Sequence, residues 1–277
     1  MSKLLLRRSI STSVACLSTG ALYYTFSPTP LTKREKMQPT YQATFSVPMH
    51  CNNCVEDISG ALSTLPGVQN TDFSLPKQLL IITSTTPPSA IISTIQDTGR
   101  TAILRGSGKA NSAAVCILET PPSPTPPSVP EASPIRGLAR LIELSDRITL
   151  LDMTLTGLSK GSYNASIRQS GDISNVPGNM GGVFKGVEGD RMGELGKLEV
   201  DETGRGSLVG EIDWRVWEMV GRGIVVERLG RKEGGDELVI GVVARSAGVW
   251  ENEKVVCGCS GKTVWEEREE MVGKGIS

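Results

Sequence analysis

The sequence predicts two folded units of different class. The first is an α+β domain of βαββαβ order, the ferredoxin-like plan, over residues 40–107; the second is an all-β sandwich or barrel over 108–245. A flexible C-terminal tail over 246–277 follows. Three observations carry this reading. Over 40–107 the hydrophobic period alternates between two and about 3.6, in the order strand, helix, strand, strand, helix, strand. From residue 135 onward, short β-type runs recur between glycines at intervals of roughly ten residues. The 31 glycines and 16 prolines, set against 4% aromatic residues, favour short strands and many turns.

Residues 1–39 precede both units. "MSKLLLRRSISTSVACLSTGALYYTF" carries Lys3, Arg7 and Arg8, many hydroxyl residues and no acid before Glu35. That composition suits a mitochondrial targeting segment, with an apolar patch from Val14 to Phe26 as a sorting or anchor region. The patch is interrupted by Ser18, Thr19, Gly20 and Thr25, and it is shorter than the ~20 apolar residues a bilayer span needs. The alternative is an upstream extension, with Met37 as a second start.

In the first unit "YQATFSV" alternates as a strand, and Val55, Ile58, Leu62 and Leu65 recur at three- and four-residue steps as one helix face. Pro66 and Gly67 end that helix. "TDFSL" and "QLLIITS" form two strands around a turn at Pro76–Lys77. Ile91, Ile92 and Ile95 line a second helix stopped by Gly99, and "RTAILRG" is the fourth strand. "AVCILE" opens the second unit as a strand. Seven prolines in residues 120–134 then predict extended chain, either a linker or a long loop. "ITLLDMTLTGL", "ASIRQSGD", "GSLVGEI" and "GIVVERLG" are strand-like. "GRGSLVG" has the glycine spacing of a phosphate loop but no following Lys-Ser or Lys-Thr, so it reads as a turn between strands.

A net charge of −1 gives no bulk electrostatic basis for binding nucleic acid. Six cysteines are too few for a disulfide scaffold, and their spacing is more informative than their number. Cys16 and Cys116 stand alone, the latter in an apolar strand where a core role is expected; the other four form the pairs Cys51/Cys54 and Cys257/Cys259. With His50 as the single histidine, any multi-histidine metal site is excluded by counting. Cys51 and Cys54 lie on a loop just before a helix, where the positive end of the dipole favours thiolates. Two soft sulfurs with no local carboxylate or histidine cluster suit Cu(I), whereas a closed zinc site needs four ligands. A thioredoxin-like redox pair is the rival reading, but the aromatic-rich motif and larger βαβ sheet it requires are missing. His50 is expected to face solvent. Cys257 and Cys259, one residue apart, can close only a small strained disulfide ring, which exchanges readily, and can equally take Cu(I) by ligand exchange.

"SVPMHCNNCVEDISGAL…LPGV" resembles the heavy-metal-associated domain of copper chaperones and copper ATPases, with its MxCxxC motif. The resemblance implies that Cys51 and Cys54 hold Cu(I), that Met49 packs beneath the loop, and that Arg100 in "DTGRTAIL" offsets the dithiolate charge. Many members of that family have Lys at the last position.

The middle of the chain resembles Cu/Zn superoxide dismutase, which implies a Greek-key sandwich. "GD" survives as Gly171 and Asp172, but Ser166 and Arg168 stand where the enzyme has two copper-binding histidines, and Glu227 stands where it has a third ligand. The enzyme's intrasubunit disulfide has no counterpart, because no cysteine lies between Cys116 and Cys257. Together with "ARSAGVWENEKVVCGCSGKTVWEER", these regions resemble the copper chaperones for superoxide dismutase, of fungal type, over roughly residues 40–270. That resemblance implies a metallochaperone rather than an enzyme. It would load Cu(I) at Cys51/Cys54 and use Cys257 and Cys259 for copper transfer and thiol–disulfide exchange. Its partner would be a Cu/Zn superoxide dismutase subunit, bound as a heterodimer through the dismutase-like domain, with a homodimer as an alternative resting state. The implied compartments are the cytoplasm and the mitochondrial intermembrane space, neither of which glycosylates the Asn164–Ala165–Ser166 sequon. The rival functions are copper delivery to a transporting ATPase and a degenerate dismutase.

Overall fold

The computed structural model describes residues 39–121, 135–187, 189, 193–230, 238–252, 254–256 and 260–274. Almost all of the N-terminal segment, most of the proline-rich stretch and the pair Cys257 and Cys259 lie outside the described residues.

The first unit runs β1 (Tyr41–Ser46), α1 (Asn52–Ser63), β2 (Val68–Ser74), β3 (Leu79–Ser84), α2 (Pro88–Asp97) and β4 (Ile103–Ser107). Its antiparallel sheet has the order β2-β3-β1-β4, as the βαββαβ reading requires. Ile58 and Leu62 of α1 and Ile91, Ile92 and Ile95 of α2 pack on Phe45, Leu80 and Ile82 in one buried cluster. Pro88 opens α2, where its fixed φ suits a helix start and its missing N–H costs nothing. Past α1, Gly67 has φ of +90°, and a Cβ there would stand 2.5 Å from the hydroxyls of both Thr85 and Thr86.

The second unit contains β5 (Ala113–Glu119), β6 (Ile135–Ser145), β7 (Ile148–Leu155), β8 (Gly161–Ile167), β9 (Glu194–Val200), β10 (Gly206–Ile212), β11 (Gly223–Arg228) and β12 (Leu238–Val242). These strands follow one another in the order β12-β11-β8-β9-β10-β7-β6-β5, and the pairing of Ile240 with Glu119 closes the ring. The step from β7 to β8 passes over β10 and β9, the crossover of a Greek key. Tyr163, Leu151, Met153, Trp214 and Ile224 lie in its interior, with Cys116 among them, fully buried in the core role expected of it. "GSLVGEI" is β10, and the turn before it uses Gly204 at φ of +77°, so the glycine-spaced run is a turn and a strand.

The two units share packing. Ile142 of β6 and Leu150 of β7 belong to the same cluster as Phe45 and Ile91. At the head of α2 the Ser89 N–H and hydroxyl donate to the Asp152 carboxylate of β7 at 2.8 and 2.5 Å, and Arg140 lies 3.7 Å from it. Asp152 is fully buried, so its charge depends on these donors and on the positive end of α2.

The C-terminal segment departs from the expected flexible tail. β13 (Ala244–Arg245), at the end of the second unit, pairs with β5, and the tail itself carries α4 (Val264–Gly273). Thr263 caps α4: its hydroxyl accepts the Glu266 N–H at 3.3 Å, while Glu266 accepts the Thr263 N–H at 2.7 Å. Lys274 reaches Glu270 at 2.7 Å one turn earlier. Among the described residues, this cap and the pairs of Lys262 and Lys274 with Glu270 are short-range and favour a locally formed helix.

Candidate metal centre

The chain leaves β1 after Ser46, crosses a short loop and enters α1 at Asn52. Met49 in that loop is 2% exposed and packs into the core beneath it, which fixes the loop from below. His50 points to solvent, as expected. Cys51 is the N-cap of α1, with extended backbone, and Cys54 lies in the first turn. The Cys54 N–H donates to the Cys51 carbonyl at 3.1 Å, which brings the two sulfurs to 3.6 Å. That separation is far beyond a disulfide bond of about 2.05 Å, so the pair is a free dithiol at the surface.

The electrostatics of the loop favour one thiolate. The Cys54 thiol is pulled from 9.0 to about 6, first by the backbone N–H of His50, then by the Arg100 guanidinium, then by the Cys51 amide and thiol. Amides at a helix start point outward with no helical acceptor, so a sulfur anion completes them. Arg100 is held from three sides. Its Nη2 donates to Asp57 at 2.9 Å, its Nη1 donates to the Thr98 carbonyl at 3.1 Å, and it bonds Cys54. Contact with Cys54 and Asp57 raises the Arg100 pKa, so the cation is permanent beside the sulfurs. Asp57 was not singled out from the sequence. Its position three residues after Cys54 on the same helix face is the signal that could have found it.

No cluster of three or more His, Cys, Asp or Glu side chains is placed to hold a metal among the described residues. The loop therefore offers two sulfurs and a neighbouring cation, a donor set suited to a low-coordinate soft monovalent ion rather than to tetrahedral zinc.

In the barrel, Ser166 lies within β8, Arg168 follows it, and Glu227 lies on β11, the strand paired with β8. The structure brings Arg168 and Glu227 together: Nη2 stands 3.2 Å from Oε1, with Arg168 only 13% exposed. A guanidinium thus occupies the region where the dismutase resemblance places copper ligands. Asn164 and Ser166 both lie within β8, with Ser166 buried and Asn164 donating to Glu194 at 2.6 Å. Cys257 and Cys259 lie outside the described residues, but Val256 and Thr263, on either side of them, form a β-bridge.

Comparison with known proteins places this geometry. Residues 44–101 match the heavy-metal-associated domain family. The superoxide dismutase 1 copper chaperone of Saccharomyces cerevisiae is 39% identical over 248 residues, covering 86% of this chain and 98% of that protein. The copper chaperone for superoxide dismutase of Homo sapiens is 30% identical over 259 residues, covering 83% of this chain and 90% of that one. A solved structure of the first domain of the human copper chaperone for SOD1, in its copper(I)-loaded form, is 30% identical over 25% of this chain and 97% of its own, with a TM-score of 0.24. Similarity of this degree over nearly the whole length of the fungal and mammalian relatives means that the chain belongs to the copper chaperones for superoxide dismutase.

Proposed function

We propose that this chain carries Cu(I) to a Cu/Zn superoxide dismutase and promotes formation of the target's intrasubunit disulfide. The observation that carries the reading is the dithiol of Cys51 and Cys54, 3.6 Å apart on a surface loop with Met49 beneath and Arg100 beside it. The Cys54 thiolate is already favoured near neutral pH, so that sulfur is ready to take Cu(I) without first giving up a proton. Two surface sulfurs can release the ion again by stepwise exchange with another dithiolate, which a buried four-ligand site would prevent.

Cys257 and Cys259 take the second role. As a dithiol they accept Cu(I) from the loop. As a disulfide, formed at the expense of an oxidant such as dioxygen, they accept electrons. A thiolate of the target attacks one sulfur and makes a mixed disulfide, releasing a tail thiolate. The target's second thiol then displaces the tail, leaving the target oxidised and both tail thiols reduced.

Docking falls to the dismutase-like barrel, as a heterodimer in which it takes the place of the target's own partner subunit. In support, Ile117 and Ile173 are 39% and 46% exposed on one face, beside Val115, Ile240 and Val242. An apolar patch of this kind marks an interaction surface. The same face would serve a resting homodimer. We place the chain in the cytoplasm and the mitochondrial intermembrane space, on the basic, acid-free N-terminal segment.

The test is the double variant Cys257→Ser/Cys259→Ser. It is expected to bind Cu(I) at the first domain as the parent does and to leave metal-free dismutase inactive. Full activation of the dismutase by that variant would refute the proposal.

A further inference from the structure

The C-terminal segment has a mooring on the copper-binding unit that neither the cysteine pairs nor the barrel explains. β4 is the edge strand of the first sheet, so one side of its backbone has no strand partner within that sheet. Residues 247–249 fill it. The Ser107 N–H donates to the Ala247 carbonyl at 3.1 Å, and the Val249 N–H donates to the Gly108 carbonyl at 3.0 Å. The approach is backbone to backbone: a Cβ on Gly106 would stand 2.1 Å from the Gly248 oxygen. Glu251 then folds the chain back by accepting the Gly248 N–H at 2.7 Å.

Arg105 of β4 completes the mooring. Its Nε and Nη2 both donate to the Asn252 carbonyl, at 3.2 and 3.1 Å, and Nη2 also donates to Asn252 Oδ1 at 3.3 Å and to the Lys254 carbonyl. The side chain is 7% exposed although its strand is an edge. A guanidinium is costly to bury without acceptors, and the acceptors it has in the described residues belong to the tail.

The place of the mooring matters. Val255, Val264 and Trp265 of the tail face Ser46, Gln78 and Leu79 across a cleft that Arg105 also lines. The Gln78 carbonyl accepts the Val47 N–H at 3.0 Å, so this cleft lies at the root of the loop that carries Cys51 and Cys54. Val256 and Thr263 are bridged, and the Val264 N–H donates to the Val255 carbonyl at 3.0 Å. The flanks of the second thiol pair are thus tied to each other and to the metal-loop end of the first unit.

We propose that Arg105 is a positioning residue that moors the C-terminal segment on the copper-binding unit and so sets how the tail takes part in activation. The proposal rests on the functional reading above for its kinetic consequence, and on the hydrogen bonds alone for the docking. Lysine cannot replace it fully, because one ammonium cannot fork across the Asn252 and Lys254 carbonyls in a fixed plane.

The experiment compares the full chain with Arg105→Ala, Arg105→Lys and Val249→Pro. The last removes one tail N–H and leaves the first unit's own residues intact, so it carries the test if Arg105→Ala fails to melt cooperatively. Three quantities are measured: amide hydrogen exchange over 249–256 and at Val264, Cu(I) stoichiometry, and the rate of dismutase activation against dismutase concentration. Arg105→Ala and Val249→Pro are expected to speed exchange by about tenfold or more at those of these amides that each variant retains, as local protection is lost. Cu(I) stoichiometry and the half-saturating dismutase concentration stay at the parent value, the maximal rate falls severalfold, and Arg105→Lys recovers part of it. Unchanged exchange in both variants overturns the docking. Faster exchange with a parental activation rate overturns the positioning role and leaves the functional reading standing. That reading fails separately, if the Cys257→Ser/Cys259→Ser chain activates fully.

Discussion

Arg100 and Arg168 each face a carboxylate, and they leave opposite chemistry behind them. Arg100 stands at the rim of the metal loop, turned towards Asp57, with the two sulfurs beside it and open to solvent. Its charge favours the Cys54 thiolate without occupying the space between the sulfurs. Arg168 is nearly buried and paired with Glu227, in the part of the barrel where a dismutase would assemble its copper ligands. There the cation takes up the charge that a metal would otherwise satisfy. A guanidinium beside a ligand pair prepares a metal site, and one inside the ligand set replaces it. A third pair, Arg140 with Asp152, lies within the barrel and is buried still further, and its carboxylate accepts the Ser89 hydrogen bonds that join the two units.

The sharpest break of this comparison removes the sulfurs. Cys51→Ser/Cys54→Ser is expected to abolish Cu(I) binding at the first unit, measured by competition with a Cu(I) chelator, while the fold persists because Cys51 is exposed and Cys54 only half-buried.

Removing the buried carboxylate has the next largest effect. Asp152→Ala leaves Arg140 without its opposite charge and the Ser89 hydroxyl without its acceptor, and should cost about 3–5 kcal/mol in a denaturant titration. Arg168→Ala is milder, about 1–2 kcal/mol, because Glu227 is 33% exposed and water can take over its solvation. That variant should gain no dismutase activity, since Glu227 and Ser166 alone do not make a copper site.

The smallest change is a shift in pH dependence. The folded Cys54 pKa is lowered from 9.0 to about 6, so the thiolate predominates above that pH and is lost as pH falls through it. Alkylation of Cys54 should therefore rise through a midpoint near pH 6. Arg100→Met should move the midpoint up but not to the ordinary value, because the His50 and Cys51 amides remain. Its melting temperature should hardly move, as befits an exposed ion pair.

Much of this architecture was legible in the sequence where periodicity and packing coincide. Ile58 and Leu62, or Ile91 and Ile95, are spaced for one helix face and are buried on it. Strand β9 escaped notice for a physical reason. Its register with β8 slips between Ala165 and Ser166, so the buried positions Leu195, Leu198 and Val200 do not alternate strictly. Helix α4 was missed because it has no apolar stripe, although "TVWE" spells its capping box. At the metal loop, Cys51, Cys54, Met49 and Arg100 could be named from the motif. The amides that lower the Cys54 pKa and the Asp57 anchor depend on how the loop meets the helix. The mooring through Arg105 was beyond sequence reasoning altogether, since it joins residues 147 and 149 positions apart.

The most direct test of the central claim follows the cargo. The chain is loaded with isotopically labelled Cu(I) and mixed with copper-free dismutase in the presence of a Cu(I) chelator. The account predicts that the label appears in the dismutase, with enzyme activity rising in parallel, and that neither happens with the Cys51→Ser/Cys54→Ser chain. Label captured wholly by the chelator, with the dismutase left inactive, would contradict it.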